Sequence, residues 1–264
     1  MEPETPTLPL IMNEPGLHSI ERLYPPDLDP ANPADQASLD IHLQRYEFAA
    51  RHLAGSRVLD MACGCGYGTA LLAERHPDKQ IIGVDIDPEA IAYASRHYQR
   101  ANLHYVCANA ESFSAEPGFD SIVSLETIEH LPSPQRLVAN FARLLAHDGR
   151  VIASVPITPT LDGNPHHLHD FSRRSLLALF RQQHLYPEPA ELEQIQPWQF
   201  RGLFSKRPDH SKQHRSEGVG NAVLGYYRQH PSYLLKRLAA ILRYGFGNRY
   251  LTCLFTMPAP GKRQ

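Results

Sequence analysis

Little in this sequence is in excess, and what is scarce narrows the reading first. Four cysteines (Cys63, Cys65, Cys107 and Cys253) in 264 residues are too few for a disulfide framework, and no two are spaced C-x-x-C. The Cys63-x-Cys65 pair is closer than the spacings tetrahedral zinc sites draw on, so reduced thiols without a structural metal are expected. No run of eighteen apolar residues occurs, which argues against a membrane-spanning helix. The acidic, proline-broken start "MEPETPTLPLIMNEPG" lacks the basic segment and apolar core of a secretory signal, which predicts a cytoplasmic protein. Neither sign of charge dominates: the formal net charge of -2 offers no long basic face for a phosphate backbone, so nucleic acid is disfavoured as a partner.

What remains is ordinary for a globular chain, with 42% hydrophobic and 20% charged residues. The length suits one large domain with an appendage. Eight prolines in the first 33 residues predict an N-terminal arm over residues 1–37 that is extended or disordered. From residue 38 the pattern changes: Leu39, Leu43, Tyr46 and Ala50 stand at helical spacing before Gly55. Strand-like runs then alternate with helical ones. "RVLDMA", "QIIGVD", "LHYVCAN", "FDSIVSL" and "RVIASV" read as five strands. Asp87-Pro88 starts one intervening helix, and Ser133-Pro134 starts another that closes at Asp148-Gly149. Such alternation predicts an α/β fold with a mostly parallel sheet and helices on both faces. "AELEQIQ" and "YLTCLFTMP" read as two late strands, with a basic and helical insert over about 197–248 before the last one. Within the insert, Leu234, Leu238, Ile241 and Leu242 share a helical face flanked by Lys236, Arg237 and Arg243. That predicts a helix packed over the active site, with contact at a membrane surface as the other reading.

The stretch "VLDMACGCGYGT" ends the first strand and opens a helix, where a doubly wound sheet binds its ligand. Glycines at 64, 66 and 68 let the backbone approach that ligand, but position 69 is threonine, so the third glycine of the dinucleotide fingerprint is missing. A nicotinamide-dependent oxidoreductase is disfavoured on that ground. Asp60 inside the turn would repel a pyrophosphate and suits a ligand with a positive group. Asp85 ends the second strand, where a carboxylate can accept both hydroxyls of a ribose, and Ile86 offers an apolar wall to a purine. Asn109-Ala110, after the third strand, brings an amide to an adenine edge. These features describe adenosine joined to an amino-acid zwitterion.

With those residues in place, the sequence resembles the class I S-adenosylmethionine-dependent methyltransferases. "VLDMACGCGYGT", "GVDIDPEAI", "CANAESF", "FDSIVSLETIEHL" and "LLAHDGRVIASVP" resemble the family's five motifs in order, across roughly residues 40 to 156. The resemblance implies a Rossmann-like seven-stranded sheet with an antiparallel last strand, and S-adenosylmethionine as cofactor. It implies a methyltransferase domain over 38–264. It places the methionine end of the cofactor on Asp60, Ala62, Gly64 and Gly66, the ribose on Asp85, and the adenine on Ile86, Asn109 and Ala110.

In "LETIEHL", Glu126, Glu129 and His130 stand at i, i+3 and i+4, which predicts one helical face carrying two carboxylates and an imidazole. Downstream, "NPHHLHDFS" supplies His166, His167 and His169. The E-x-x-E-H pattern with a later histidine resembles the ubiquinone-pathway O-methyltransferases and the small-RNA terminal 2′-O-methyltransferases. That resemblance implies a magnesium-like divalent metal on Glu126, Glu129 and His130, completed by His167 or His169, with Glu129 and His130 as catalytic residues. The metal-free alternative leaves His130 as a general base or positioning residue. The other histidines, His42 among them, read as surface or packing residues. A looser resemblance to methyltransferases of bacterial surface-polysaccharide assembly makes the expected acceptor a hydroxyl on a small metabolite or glycan. A non-catalytic adenosine-binding scaffold is the alternative from another class.

Overall fold

The computed structural model describes residues 32–160, 164, 166–197 and 227–257. Most of the expected N-terminal arm and the basic half of the expected insert lie outside these residues.

Among them, seven strands form one sheet: β1 (Arg57–Met61), β2 (Gln80–Asp85), β3 (Leu103–Cys107), β4 (Phe119–Leu125), β5 (Leu145–Pro156), β6 (Tyr186–Pro197) and β7 (Gly247–Thr256), in the spatial order β3-β2-β1-β4-β5-β7-β6. β1 to β5 pair parallel, and β7 runs antiparallel to both β5 and β6. The last strand in sequence is therefore not an edge. Helices among the described residues include α1 (Pro33–His52), α2 (Tyr67–Arg75), α3 (Pro88–His97), α4 (Pro134–Leu144), α5 (Arg173–Arg181) and α6 (Pro231–Tyr244).

The central strands read as unbroken apolar runs because helices cover both faces. On one face, Tyr46, Phe48 and Ala49 of α1 and Leu72 of α2 pack on Val58, Ile81 and Leu254. On the other, Leu137 and Phe141 of α4 and Phe180 of α5 pack on Leu59, Ile122 and Phe255. The Phe180 and Phe255 rings stack 3.8 Å apart at 9°, which ties α5 to the antiparallel strand. α3 begins as expected, with Asp87 accepting the Glu89 N–H and Pro88 in the first turn.

Three local expectations need correction. The α1 helix starts at Pro33, inside the proline-rich arm. The α4 helix ends at Leu144 rather than at Asp148-Gly149, because Leu145 is already extended (φ -67°, ψ 133°) and pairs with Phe119. Residues 146–149 then loop out through Asp148 at φ 61° before Arg150 rejoins the ladder opposite Ser121.

The third concerns α6. Its apolar stripe does not pack inward: Leu234 is 40%, Leu238 47% and Leu242 88% exposed, while Arg237 is 9% exposed and is the buried residue of the helix. The inward position faces a cavity that Glu126 and Glu129 also line, and a leucine there would set apolar surface against carboxylates. No described helix is long and apolar enough to cross a membrane.

Candidate active site

The strand order reverses between β1 and its neighbours β2 and β4, and the carboxyl ends of these strands open onto a cavity of about 470 Å³. The loop after β1 forms its floor. Ala62, Gly64 and Gly66 all have left-handed backbones (φ 63°, 57° and 83°), which turns successive peptide groups toward one side. Gly66 is needed for a second reason, since a Cβ there would lie 2.6 Å from Ala94 and 2.8 Å from the Tyr105 ring. Ala62 holds the same region with a side chain, at a cost of about 1 kcal/mol.

Asp85 fastens this loop. Its Oδ2 accepts the Gly64 N–H at 2.8 Å and its Oδ1 the Asp87 N–H at 3.0 Å, while the residue lines the cavity. Ile86, 60% exposed, forms an apolar wall at the mouth. Asn109 and Ala110 stand where adenine contacts were expected, but Asn109 Oδ1 already accepts the Glu111 N–H at 2.8 Å, leaving one lone pair for a ligand.

Asp60 and Gly66 do not line the cavity. Asp60 is buried beneath the loop, where its Oδ2 accepts Thr69 Oγ1–H at 2.6 Å and Tyr46 O–H at 3.2 Å. Burial pushes its pKa up to about 7, against the downward pull of those two donors. Gly66 caps α2 and receives the Tyr105 hydroxyl on its carbonyl at 2.9 Å. Asp60 Oδ1 has no hydrogen-bond partner among the described residues.

A second cavity, of about 220 Å³, adjoins the first and shares His42, Glu126 and His130 with it. The single helical face expected of Glu126, Glu129 and His130 does not form. Glu126 ends β4 in a left-handed conformation (φ 52°), and only Ile128–His130 make a short 3-10 turn. Glu126 is fixed separately: Ser154 Oγ donates to its Oε1 at 2.7 Å, and Arg45 Nη1 lies 3.8 Å from the same oxygen.

Glu129 is fully buried, and neither carboxylate oxygen has a hydrogen-bond partner among the described residues. Burial and the nearby Glu126 charge push its pKa well above the usual carboxylate range. Its backbone carbonyl accepts the Leu168 N–H (2.8 Å) and the His169 N–H (3.3 Å), which draws the downstream histidines to the turn. Of these, His167 joins the cluster: one ligand atom each of Glu129, His130 and His167 lie within 4.8 Å of one another. His167 Nδ1 meets Thr160 Oγ1 at 2.7 Å, and burial lowers its pKa to about 4. His130 Nδ1 faces the His166 carbonyl at 3.3 Å, and burial lowers its pKa as well. His169 is placed elsewhere, its Nε2 on the Leu131 carbonyl at 2.9 Å.

The sequence reading missed α1's contribution. His42, Arg45 and Tyr46 project together at i, i+3 and i+4, and all three line the larger cavity. His42 Nδ1 pairs with the Tyr67 hydroxyl at 2.8 Å, and Arg45 stacks over the Tyr250 ring at 4.3 Å while donating from Nε to Gln194 at 2.9 Å. Polar residues on the stripe of a helix with buried apolar positions were the available signal.

His42 also makes stability depend on pH. Burial, then the Arg45 charge, lower its pKa from 6.5 to about 3. Below pH 6.5 the unfolded chain binds a proton that the folded chain refuses, so stability falls toward pH 3 with a slope of up to about 1.4 kcal/mol per unit. Denaturant unfolding of His42→Asn at pH 7.5 and pH 5 should show a smaller loss between the two than the parent shows. An equal loss in both proteins would refute the assignment.

Residues 59–153, from β1 to β5, match the methyltransferase domain family. This segment is a class I methyltransferase domain. The sheet order, the glycine loop and the cavity at the strand ends are its scaffold, and S-adenosylmethionine is the methyl donor that scaffold serves. A "Ubiquinone biosynthesis O-methyltransferase" of Xanthomonas oryzae pv. oryzae is 28% identical over 185 residues, 62% of this chain and 77% of that one. A protein of the same name from Coxiella burnetii is 34% identical over 105 residues, 39% of this chain and 44% of that one. Among solved structures, the N-methyltransferase NodS from Bradyrhizobium japonicum, in complex with S-adenosyl-L-homocysteine, superposes with a TM-score of 0.56. The two share 16% identity over 87% of this chain and 90% of that one, which is a likeness of fold. The methyltransferase domain holds the larger cavity almost entirely; the smaller draws on elements on both sides of it.

Proposed function

We propose that this methyltransferase methylates a hydroxyl on a small polar acceptor with two neighbouring oxygens, a catechol-like metabolite or a sugar diol, assisted by a divalent metal on Glu129, His130 and His167. The observation that carries this reading is the buried Glu129 carboxylate in the smaller cavity, which lacks a hydrogen-bond partner among the described residues and has two imidazoles beside it. A buried carboxylate without a partner is costly, and a cation there would remove that cost. The names of the Xanthomonas and Coxiella relatives favour oxygen as the acceptor atom. One carboxylate and two imidazoles suit zinc, iron or a similar metal better than magnesium, which prefers oxygen ligands.

When bound, such a metal acidifies a hydroxyl that contacts it. The protein supplies the rest. Asp85 and the Ala62–Cys65 loop hold the donor, with Ile86, Asn109 and Ala110 around its adenine. In the transfer, the sulfonium–methyl bond breaks as the oxygen–methyl bond forms, and the acceptor's proton must leave. With its Nδ1–H on the His166 carbonyl, His130 keeps the Nε2 lone pair free of a proton at neutral pH, which suits a ligand and equally a base. Glu126, held by Ser154 and Arg45, borders both cavities and can orient a second acceptor hydroxyl.

The test is transfer of labelled methyl to catechols, sugars and RNA ends, with and without chelator. Transfer to a catechol or sugar, abolished by chelation, is expected. Preference for an RNA end would overturn the acceptor class. Full activity in chelator would overturn the metal and leave His130 as the base.

A further inference from the structure

Helix α6 shows solvent the face that a packed helix hides. Leu235 is 69% exposed, and with Leu234, Leu238, Ala239 and Leu242, all exposed, it makes the outward side apolar from residue 234 to residue 242. Single surface leucines are ordinary, whereas a contiguous apolar face marks a site of contact. Lys236 and Arg243 lie along one edge of this face, and Arg228 stands just before the helix; all three are exposed.

These cations differ from the other exposed ones. Arg75 pairs with Glu47, Arg100 with Glu74 and Arg173 with Glu191, but Arg228, Lys236 and Arg243 have no carboxylate partner among the described residues. The sequence explains the difference: no aspartate or glutamate follows Glu217, whereas seven lysines and arginines do, in a chain whose net charge is -2. Instead, Lys236 Nζ lies 4.4 Å from the centre of the Tyr233 ring and Arg243 Cζ 5.2 Å from that of Tyr244. Tyrosine rings and long basic side chains are the groups that settle at the headgroup level of a bilayer.

We propose that α6 lies flat on an anionic lipid bilayer, with its leucines in the acyl boundary and Arg228, Lys236 and Arg243 among the phosphate headgroups. Charge complementarity decides the occupant. A second copy docked through the same face would set basic edge against basic edge, and a neutral surface would leave the unpaired cations unanswered. A fluid layer also conforms to a convex helix without a shaped groove. The 14 residues of the helix suit a position in the interface plane and are too few to span a bilayer.

The experiment is cosedimentation of the full chain with vesicles of phosphatidylcholine alone, or of phosphatidylcholine and phosphatidylglycerol in equal parts. Neither the methyl acceptor nor a metal enters it. The parent should bind the mixed vesicles and favour them over the neutral ones by about thirtyfold, a preference that salt weakens. Lys236→Gln/Arg243→Gln should lose most of that preference. Leu235→Gln/Leu238→Gln/Leu242→Gln should bind mixed vesicles about a hundredfold or more weakly while keeping its affinity for S-adenosylhomocysteine. Leu242→Gln alone, at the most exposed position, should lose about tenfold and decides the matter if the triple variant does not fold. No binding of the parent to mixed vesicles would overturn the proposal, as would equal binding by the parent and Leu242→Gln. Binding indifferent to phosphatidylglycerol and to salt would overturn it too. A parent that is dimeric by equilibrium sedimentation, with Leu242→Gln monomeric, would assign the face to a second copy and overturn the lipid reading.

Discussion

Asp85→Ala should bind S-adenosylhomocysteine about a hundredfold or more weakly than the parent, measured by calorimetry, while keeping its fold by far-ultraviolet circular dichroism. The carboxylate already accepts two backbone N–H groups, from Gly64 and Asp87, and the residue still lines the cavity. A carboxylate has about four acceptor positions, and the ribose diol is expected to meet two of them. Two charge-assisted bonds contribute roughly 3 kcal/mol or more together, about a hundredfold in affinity. Loss of the Gly64 anchor adds to this by loosening the loop. Asp85→Asn keeps one acceptor oxygen and should lie between the two. Unchanged affinity in Asp85→Ala would remove the ribose from this position.

Glu129→Gln should lower methyl transfer by about a thousandfold while leaving S-adenosylhomocysteine affinity unchanged and the ligand-free protein at least as stable. The two effects have opposite signs for one reason. The buried carboxylate lacks a hydrogen-bond partner among the described residues, so replacing an ionisable group with a neutral one of the same shape removes a cost in the absence of metal. In the working site the same charge is the anionic member of the proposed metal set, and a lost ligand of that kind forfeits several kcal/mol of transition-state stabilisation. Chelation of the parent should reproduce the variant's rate, and chelation of the variant should add nothing. A variant that loses activity and stability together would mark Glu129 as structural.

How much of this was legible from residues alone depends on whether the backbone or the tertiary packing decides. The parallel sheet, its crossovers and the cofactor loop follow from local signals: apolar runs such as "RVLDM", Asp87-Pro88 at a helix start, and glycines where left-handed backbone is required. Asp85 and Ile86 were placed by their position just past a strand. Spacing failed where one backbone angle overrides it. Glu126 at φ 52° leaves the helical face that its i, i+3 relation to Glu129 suggests. His167 and His169 are indistinguishable in sequence, and their fates differ because two N–H bonds to the Glu129 carbonyl set the loop. The burial of His42 and Arg237 was not predicted, for a longer-range reason. Each owes its place to how a whole helix is rotated against the sheet, which no window of neighbouring residues encodes.

The interior position of β7 sets which part of the sequence completes each cavity. The larger cavity is drawn from residues between His42 and Pro132, so a growing polypeptide has every wall of the donor's pocket early in synthesis. The smaller cavity needs Arg237, Asn248 and Tyr250, and β6 has no partner among the strands except β7. Without β7 between them, β5 and β6 would each present an open edge, and the smaller cavity would lack Asn248 and Tyr250. Every residue that lines the larger cavity thus precedes β7 in the sequence, whereas the smaller cavity takes part of its wall from β7 itself.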